Sequence, residues 1–321
     1  MLDRARRRSA RGRHIAAERV GWGILGAAWV AGLAVIPAIE ASRNGRLVSI
    51  ASRVPDRAGE LASRHSFARV GASYDAVIDD PEVDAVYVPL INSLHRKWTL
   101  RALAAGKHVL CEKPLAMDAV EAEEMAAAAQ LAGRHLMEAF MYRFHPRIRF
   151  FVQSVRNPLY VQARFGFTLD KPANYRMRSA LGGGALLDVG CYTVSVARWI
   201  LGEPSTVHAH SRMGDEVDMT TSALLGFPGG QTAAVWSSFE SAEGQELAVV
   251  TDRAVHRLEM PFNSGEEGDQ YQLMVESFAD SVINDRPVAI PLTESIANMT
   301  VLDRIRDAAQ AVGRSGMSAS T

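Results

Sequence analysis

The strongest constraint on the fold is a regular alternation, from Val20 to about Met141, of short apolar runs with longer helix-like stretches. VGWGIL, RLVSIAS, DAVYVPL, KHVLCEKP and RHLMEAFM read as strands. Between them, residues 28–43 read as a helix stopped at Asn44-Gly45. PDRAGELASRH reads as a helix with Pro55 in its first turn, and SLHRKWTLRALAAG and DAVEAEEMAAAAQLAG each close on a glycine. Strands separated by helices of this length need crossover connections, so they predict a parallel sheet covered on both faces.

After about Phe150 the pattern changes. YVQARFGFTL, STVHAHSRM, VDMTTSALLGF, QTAAVWSSFE, ELAVVT and AVHRLEM are strand-like, several with alternation of period two. One strong helix is predicted among them, over residues 185–201, and DQYQLMVESFADSVIN and ESIANMTVLDRIRDAAQAV read as closing helices. A chain of 321 residues has room for two cores. The expectation is therefore α/β. A doubly wound parallel sheet occupies residues 20–141, and an α+β domain on a mostly antiparallel, open-faced sheet occupies residues 142–321, with its last helices able to pack back on the first domain.

Residues 20–39 carry no charge and follow a tail with seven arginines in the first nineteen residues. Length alone would allow a membrane span or an export signal. The stretch contains Pro37 and four glycines, lacks an A-x-A cleavage pattern, and serves better as the first strand and helix of the domain. The basic tail, residues 1–19, is expected to be solvated, disordered and dispensable. With a net charge of −1 there is no overall case for nucleic acid or a membrane as partner. Cys111 and Cys191 form no CxxC pair, so neither a disulfide nor a metal is expected, and a reducing cytoplasm suits them.

The turn after VGWGIL lays a degenerate G-x-G-x-x-G/A fingerprint on Gly26, Ala28 and Ala31. Small residues there let the backbone approach a pyrophosphate at a helix N-terminus, where Trp29 and Val30 also lie. The second strand ends in Ser52-Arg53, with Arg57 further on. Hydroxyl and guanidinium groups in place of an acid suit a 2′-phosphate, and so NADP in preference to NAD.

The segment KHVLCEKPLAMDAVEAEE contains Glu112-Lys113-Pro114, and GGGALLDVGCYTVSVARWILGEP contains Asp188, Gly190 and Tyr192. In that order the two motifs resemble the Gfo/Idh/MocA oxidoreductase family over roughly residues 20–204. The tyrosine and MEAFMYRFHP are similar to the branch of dimeric dihydrodiol dehydrogenases and NADP-dependent D-xylose dehydrogenases. The resemblance implies a Rossmann domain with Leu90, Asn92, His95, Glu112 and Lys113 on the cofactor side. It also implies a homodimer formed through the open sheet and hydride transfer between nicotinamide and a sugar or polyol.

Such a reaction removes a hydroxyl proton while hydride leaves the same carbon. Tyrosine serves as base only if its pKa, about 10 when unperturbed, is lowered, and a neighbouring ammonium would do that. Lys113 is therefore expected to activate Tyr192. Asp188, four residues earlier on the same helix face, is expected to bind a substrate hydroxyl or orient the lysine. Arg143, His145 and Arg176 are candidates for binding sugar hydroxyls. The expected reaction is C1 oxidation of an aldopyranose such as D-xylose or D-glucose. Trans-dihydrodiol oxidation, keto-sugar reduction, an exported glucose–fructose-type oxidoreductase and a non-catalytic NADP-sensing regulator are the alternatives.

Overall fold

The computed structural model describes residues 19–263 and 269–318, with side chains to residue 311. The expectation for the tail before residue 19 lies outside the described residues.

The first strands are β1 (Val20–Leu25), β2 (Gly45–Ala51), β3 (Arg69–Val70), β4 (Ala85–Val88), β5 (His108–Cys111) and β6 (Leu136–Glu138). They form one six-stranded parallel sheet in the order β3-β2-β1-β4-β5-β6. The helices along this stretch are α1 (Ile36–Ala41), entered through a π-type turn over Ala31–Val35, then α2 (Pro55–Arg64), α3 (Tyr74–Ile78), α4 (His95–Ala104) and α5 (Ala119–Ala132). Strand order reverses between β1 and β4, so the crevice beyond their C-terminal ends is where such a sheet receives a ligand.

The uncharged opening stretch is thus a fold element. Val20, Trp22 and Ile24 are fully buried in β1, at the centre of the sheet. A separate stretch, Ser179–Leu201, is long and apolar enough to cross a membrane, but 83% of its apolar window is buried inside the protein.

A short helix, α6 (Pro146–Ser154), leads into the second sheet. The sequence pattern does not announce it, because RFFVQSV carries apolar residues on more than one face. The strands that follow are β7 (Pro158–Thr168), β8 (Thr206–Met213), β9 (Asp218–Gly226), β10 (Thr232–Ser238), β11 (Glu240–Thr251) and β12 (Val255–Glu259), ordered β12-β11-β7-β10-β9-β8. Every neighbouring pair is antiparallel except β7 with β10. Helix α7 (Cys191–Leu201) covers one face of this sheet. On the other face Gln162, Arg164, His208, His210, Leu224 and Trp236 line an open depression of about 650 Å³.

Helices α8 (Gln270–Asn284) and α9 (Leu292–Ser318) close the chain. Helix α8 returns to the parallel sheet. The Phe278 ring lies 5.6 Å from that of Trp22, and Asn44 donates to the Glu276 carbonyl at 2.9 Å and to Asp280 at 2.8 Å. Helix α9 meets α5, where Asp303 accepts from the Ala119 N–H at 2.9 Å.

Candidate active site

The C-terminal ends of β1, β2, β4 and β5 carry the residues expected to hold a dinucleotide. Gly26 has φ = +121°, and a side chain there would stand 2.9 Å from Leu90 Cδ2, so only glycine lets the two loops close together. Ala28 precedes the first helical turn, whose leading N–H groups have no partner within the helix. Trp29 is 79% exposed beside it, and Val30 is half-buried.

Ser52 turns its hydroxyl inward to accept from the Val54 N–H at 3.1 Å. Arg53 and Arg57 are exposed and, among the described residues, make no ion pair. Two uncommitted guanidinium groups at the end of β2, a positive-φ glycine at the first turn and a helix N-terminus fit the adenosine phosphate and pyrophosphate of a dinucleotide.

Asn92 and His95 tie the β4 loop to its surroundings. Asn92 is buried and donates to the Gly182 carbonyl at 2.7 Å, reaching a loop of the second half of the chain. His95 is fully buried. Its two ring nitrogens lie 2.9 Å from the carbonyl oxygens of Leu90 and Pro114, and burial holds its pKa below the ordinary histidine value. Both side chains are therefore held inside the protein by backbone carbonyls.

Glu112 ends the β5 segment. Its carboxylate accepts from the Tyr87 hydroxyl at 2.6 Å and from the Lys113 N–H at 3.3 Å. The next peptide bond, Lys113–Pro114, is cis.

The Lys113 ammonium donates to the Asp188 carbonyl at 2.7 Å and to Asp188 Oδ1 at 3.0 Å, while Arg176 donates to Asp188 Oδ2 at 2.7 Å. Asp188 sits within a second π-type turn, Leu186–Gly190, at the entry to α7. The result is a row, Lys113–Asp188–Arg176, with its carboxylate buried and its two cations half-buried. Burial works against all three charges, but each is outweighed by its partners. The Asp188 carboxylate keeps Lys113 and Arg176 above their usual values, and the two cations hold Asp188 below its own.

Tyr192 lies beside this row, with Lys113 Nζ 5.1 Å from the centre of its ring. Its ring is boxed by Phe140, Phe165 and Phe262, at 5.3, 5.6 and 5.3 Å, and by Tyr142 at 5.7 Å. The structure corrects the expected activation. Lys113 meets the face of the ring and not its hydroxyl, which donates to Met141 Sδ at 3.5 Å. Burial pushes the Tyr192 pKa well above 10, and the nearby Tyr271, Cys191, Glu112 and Asp188 add to the rise. The hydroxyl is protonated at neutral pH.

Two expected site residues have other employment. The Arg143 guanidinium stacks 4.1 Å over the Trp199 ring and pairs with Glu294 at 3.8 Å. His145 is buried as the cap of α6, accepting from the Arg147 N–H at 3.1 Å. Neither contacts the Lys113–Asp188–Arg176 row.

Sequence reasoning missed several others. Tyr175 packs under the Arg176 guanidinium at 4.9 Å, and Tyr271 stands near enough to Glu112 and Lys113 to feel both charges. Tyr87 and Glu138 lie behind the Lys113 segment. A tyrosine at the start of a helix that returns to the first sheet was the one available signal, in DQYQLM.

Comparison with known proteins agrees with this fold. Residues 20–140 match the model of the Gfo/Idh/MocA oxidoreductase family's NAD-binding Rossmann fold, and residues 157–256 match a C-terminal domain model of the same family. A D-xylose 1-dehydrogenase (NADP(+)) of Haloferax volcanii is 35% identical, covering 90% of this chain and 97% of that protein. A trans-1,2-dihydrobenzene-1,2-diol dehydrogenase of Xenopus tropicalis is 32% identical over 73% of each chain. Among solved structures, a 3-ketoreductase from Actinomadura kijaniata in complex with NADP and TDP-benzene superposes with a TM-score of 0.81 at 29% identity. That match covers 90% of this chain and 98% of the other.

Proposed function

Because this chain belongs to the Gfo/Idh/MocA oxidoreductase family, we propose that it is an NADP-dependent sugar dehydrogenase that oxidises C1 of an aldopyranose, of the D-xylose or D-glucose type, to the lactone. The observation that carries this reading is the Lys113–Asp188–Arg176 row set against Tyr192 at the end of β5.

Gly26, Ala28, Trp29 and Val30 would hold the pyrophosphate end of the dinucleotide, and Ser52, Arg53 and Arg57 its 2′-phosphate. Leu90, Asn92, His95 and Glu112 would shape the nicotinamide side. When bound, NADP supplies the hydride acceptor. Lys113, Asp188 and Arg176 bind and orient the sugar hydroxyls, and Tyr192 exchanges a proton with the oxygen on the reacting carbon. In oxidation that proton leaves the hydroxyl for tyrosinate as hydride leaves the carbon. In reduction it passes from tyrosine to a carbonyl oxygen.

The protonated state of Tyr192 at neutral pH favours a second reading, reduction of a keto-sugar. The concave sheet face lined by Leu224 and Trp236 supports a homodimer, and two buried free thiols suit the cytoplasm.

The test is the initial rate of reduced-nicotinamide formation with NADP and with NAD across D-xylose, D-glucose, L-arabinose and a trans-dihydrodiol, with Tyr192→Phe in parallel. NADP-dependent turnover of an aldose that collapses in the variant is expected. No oxidation of any aldose, with turnover of a keto-sugar by reduced NADP, selects the second reading.

A further inference from the structure

Behind the Lys113 segment lies a buried carboxyl that the chemistry above does not use. Glu138, at the end of β6, is 1% exposed. Its Oε1 accepts from the Leu115 N–H at 3.0 Å, two residues beyond Lys113. Its Oε2 has no hydrogen-bond partner, and neither have the Ser295 hydroxyl and Asn298 Oδ1. Ser295 and Asn298, both buried, are three apart on one face of α9. Asn298 donates through its other amide atom to the Cys191 carbonyl at 3.2 Å, next to Tyr192. On the opposite side the Glu138 carbonyl accepts from the Phe140 N–H at 2.9 Å, and the Phe140 ring packs edge-on against Tyr192. A buried polar atom without a partner is costly, so three of them at one interface call for a reason.

We propose that Glu138 is a positioning residue of the active site, joining the Lys113 segment to the helix that carries Tyr192 through Leu115 on one side and the Ser295–Asn298 face of α9 on the other. The inference rests on the roles given above to Lys113 and Tyr192. The carboxyl accepts from the Leu115 N–H through Oε1, and the Ser295 hydroxyl of α9 stands beside it. The charged form keeps the Leu115 N–H and has the Ser295 hydroxyl beside it, but these do not make up for the water lost on burial. Arg198, a cation whose charge acts on it, is committed to Glu203 at 2.9 Å and to the Glu294 carbonyl at 3.1 Å.

The other titratable groups around Glu138 are Glu112 and Cys111 on β5 and Cys191 on α7. Burial pushes the Glu138 pKa up to about 7, and the Ser295 hydroxyl, close by but completing no ordinary hydrogen bond, restrains the rise. The folded state therefore holds this proton more tightly than the unfolded chain does. Its contribution to stability is complete below the ordinary value of 4.5 and is lost as pH rises through about 7.

Three variants test the proposal between pH 5.5 and 8.5. Glu138→Leu should lower kcat at least tenfold, with dissociation of NADP little changed. Glu138→Gln keeps the acceptor for Leu115 and supplies a fixed donor, so it should recover most of that loss. The ratio of its kcat to that of the unaltered enzyme should rise severalfold as pH passes about 7. Ser295→Ala should move that midpoint upward.

A ratio independent of pH, or a Leu variant whose kcat falls only with its folded fraction, overturns the positioning role. Melting temperatures need no substrate. The Gln variant should gain on the unaltered protein as pH rises through about 7, and no such gain overturns the assignment of the proton to Glu138. A gain in melting temperature with no turnover of any sugar counts instead against the dehydrogenase reading.

Discussion

At the scale of single residues, the role proposed for Tyr192 makes its protonation the source of the reaction's pH dependence. Burial keeps its pKa well above 10. Oxidation, which needs the tyrosinate, should therefore accelerate as pH rises through the neutral range, while reduction should be flat there and fall only at alkaline pH. Initial rates in both directions on one substrate pair read this directly. A rate of oxidation that is flat from pH 6 to 9 and lost in Tyr192→Phe would show a base already ionised. Tyr192→Phe should lower kcat by about a hundredfold or more, the usual range for a lost acid–base group, and Lys113→Met should lower it too, by freeing Asp188 and the hydroxyls the ammonium orients. Arg53→Ala should raise KM for NADP by about tenfold with little effect on NAD, since a charge-assisted hydrogen bond contributes roughly 1.5–3 kcal/mol. Equal effects on both cofactors would remove the arginine from the 2′-phosphate. Lys113 and Asp188, which the structure joins, were singled out by the resemblance of their two motifs to a family, since a lysine at a strand end is by itself an ordinary surface residue. The placement of Arg143 and His145 was not legible, because proximity in sequence does not decide direction. His145-Pro146 is nonetheless the signature of a helix start, with proline at the first helical position, and could have been read as a cap.

At the scale of elements, the site depends on a loop of the second half of the chain fitting closely against the first. Gly182 has φ = +80°, and a side chain there would stand 2.5 Å from Asn92 Cβ and 2.6 Å from Met117 Sδ. Gly182→Ala should wedge the β4 loop and weaken NADP binding severalfold, and the strain should lower the melting temperature as well. Asp118→Ala is the contrasting change. Asp118 caps α5 by accepting from the Glu121 N–H at 2.8 Å, and its loss should cost about 1 kcal/mol of stability with NADP affinity intact. Calorimetry and a cofactor titration on both variants separate these effects, and a reversed pattern would place the cofactor contact elsewhere. The long strands and glycine-stopped helices were legible because their periodicity and stop signals agree. The two-residue β3, the five-residue α3 and α6 were not, because so few residues carry no period. The π-type turns escaped for another reason: an added residue within a helix leaves no mark in hydrophobic spacing, yet one of them holds Asp188.

At the scale of the whole molecule, the second sheet has one face that, among the described residues, lies open. Strand β7 shows the division. Phe165 packs against Tyr192 on the helix-covered side, while Gln162 and Arg164 alternate to the open side with Leu224, Ala234 and Trp236. A concave surface with leucine, alanine and tryptophan at its centre and arginine and histidine around them has the composition of an interface core and rim. A second copy of this chain is the occupant proposed above, and a stable interface of that kind buries about 800 Å² on each partner. The residues of the proposed active site all come from one chain, so dimerisation and chemistry should separate. Trp236→Glu, combined with Leu224→Glu, places two charges where apolar surface would meet. Sedimentation should then show the variant as a monomer and the unaltered protein as a dimer, with kcat at saturating sugar within about twofold of the unaltered value. A variant that stays dimeric moves the interface off this face. A monomeric variant that loses turnover while keeping its melting temperature would mean that the sheet transmits order from the partner, through β7 and Phe165, to the ring of Tyr192.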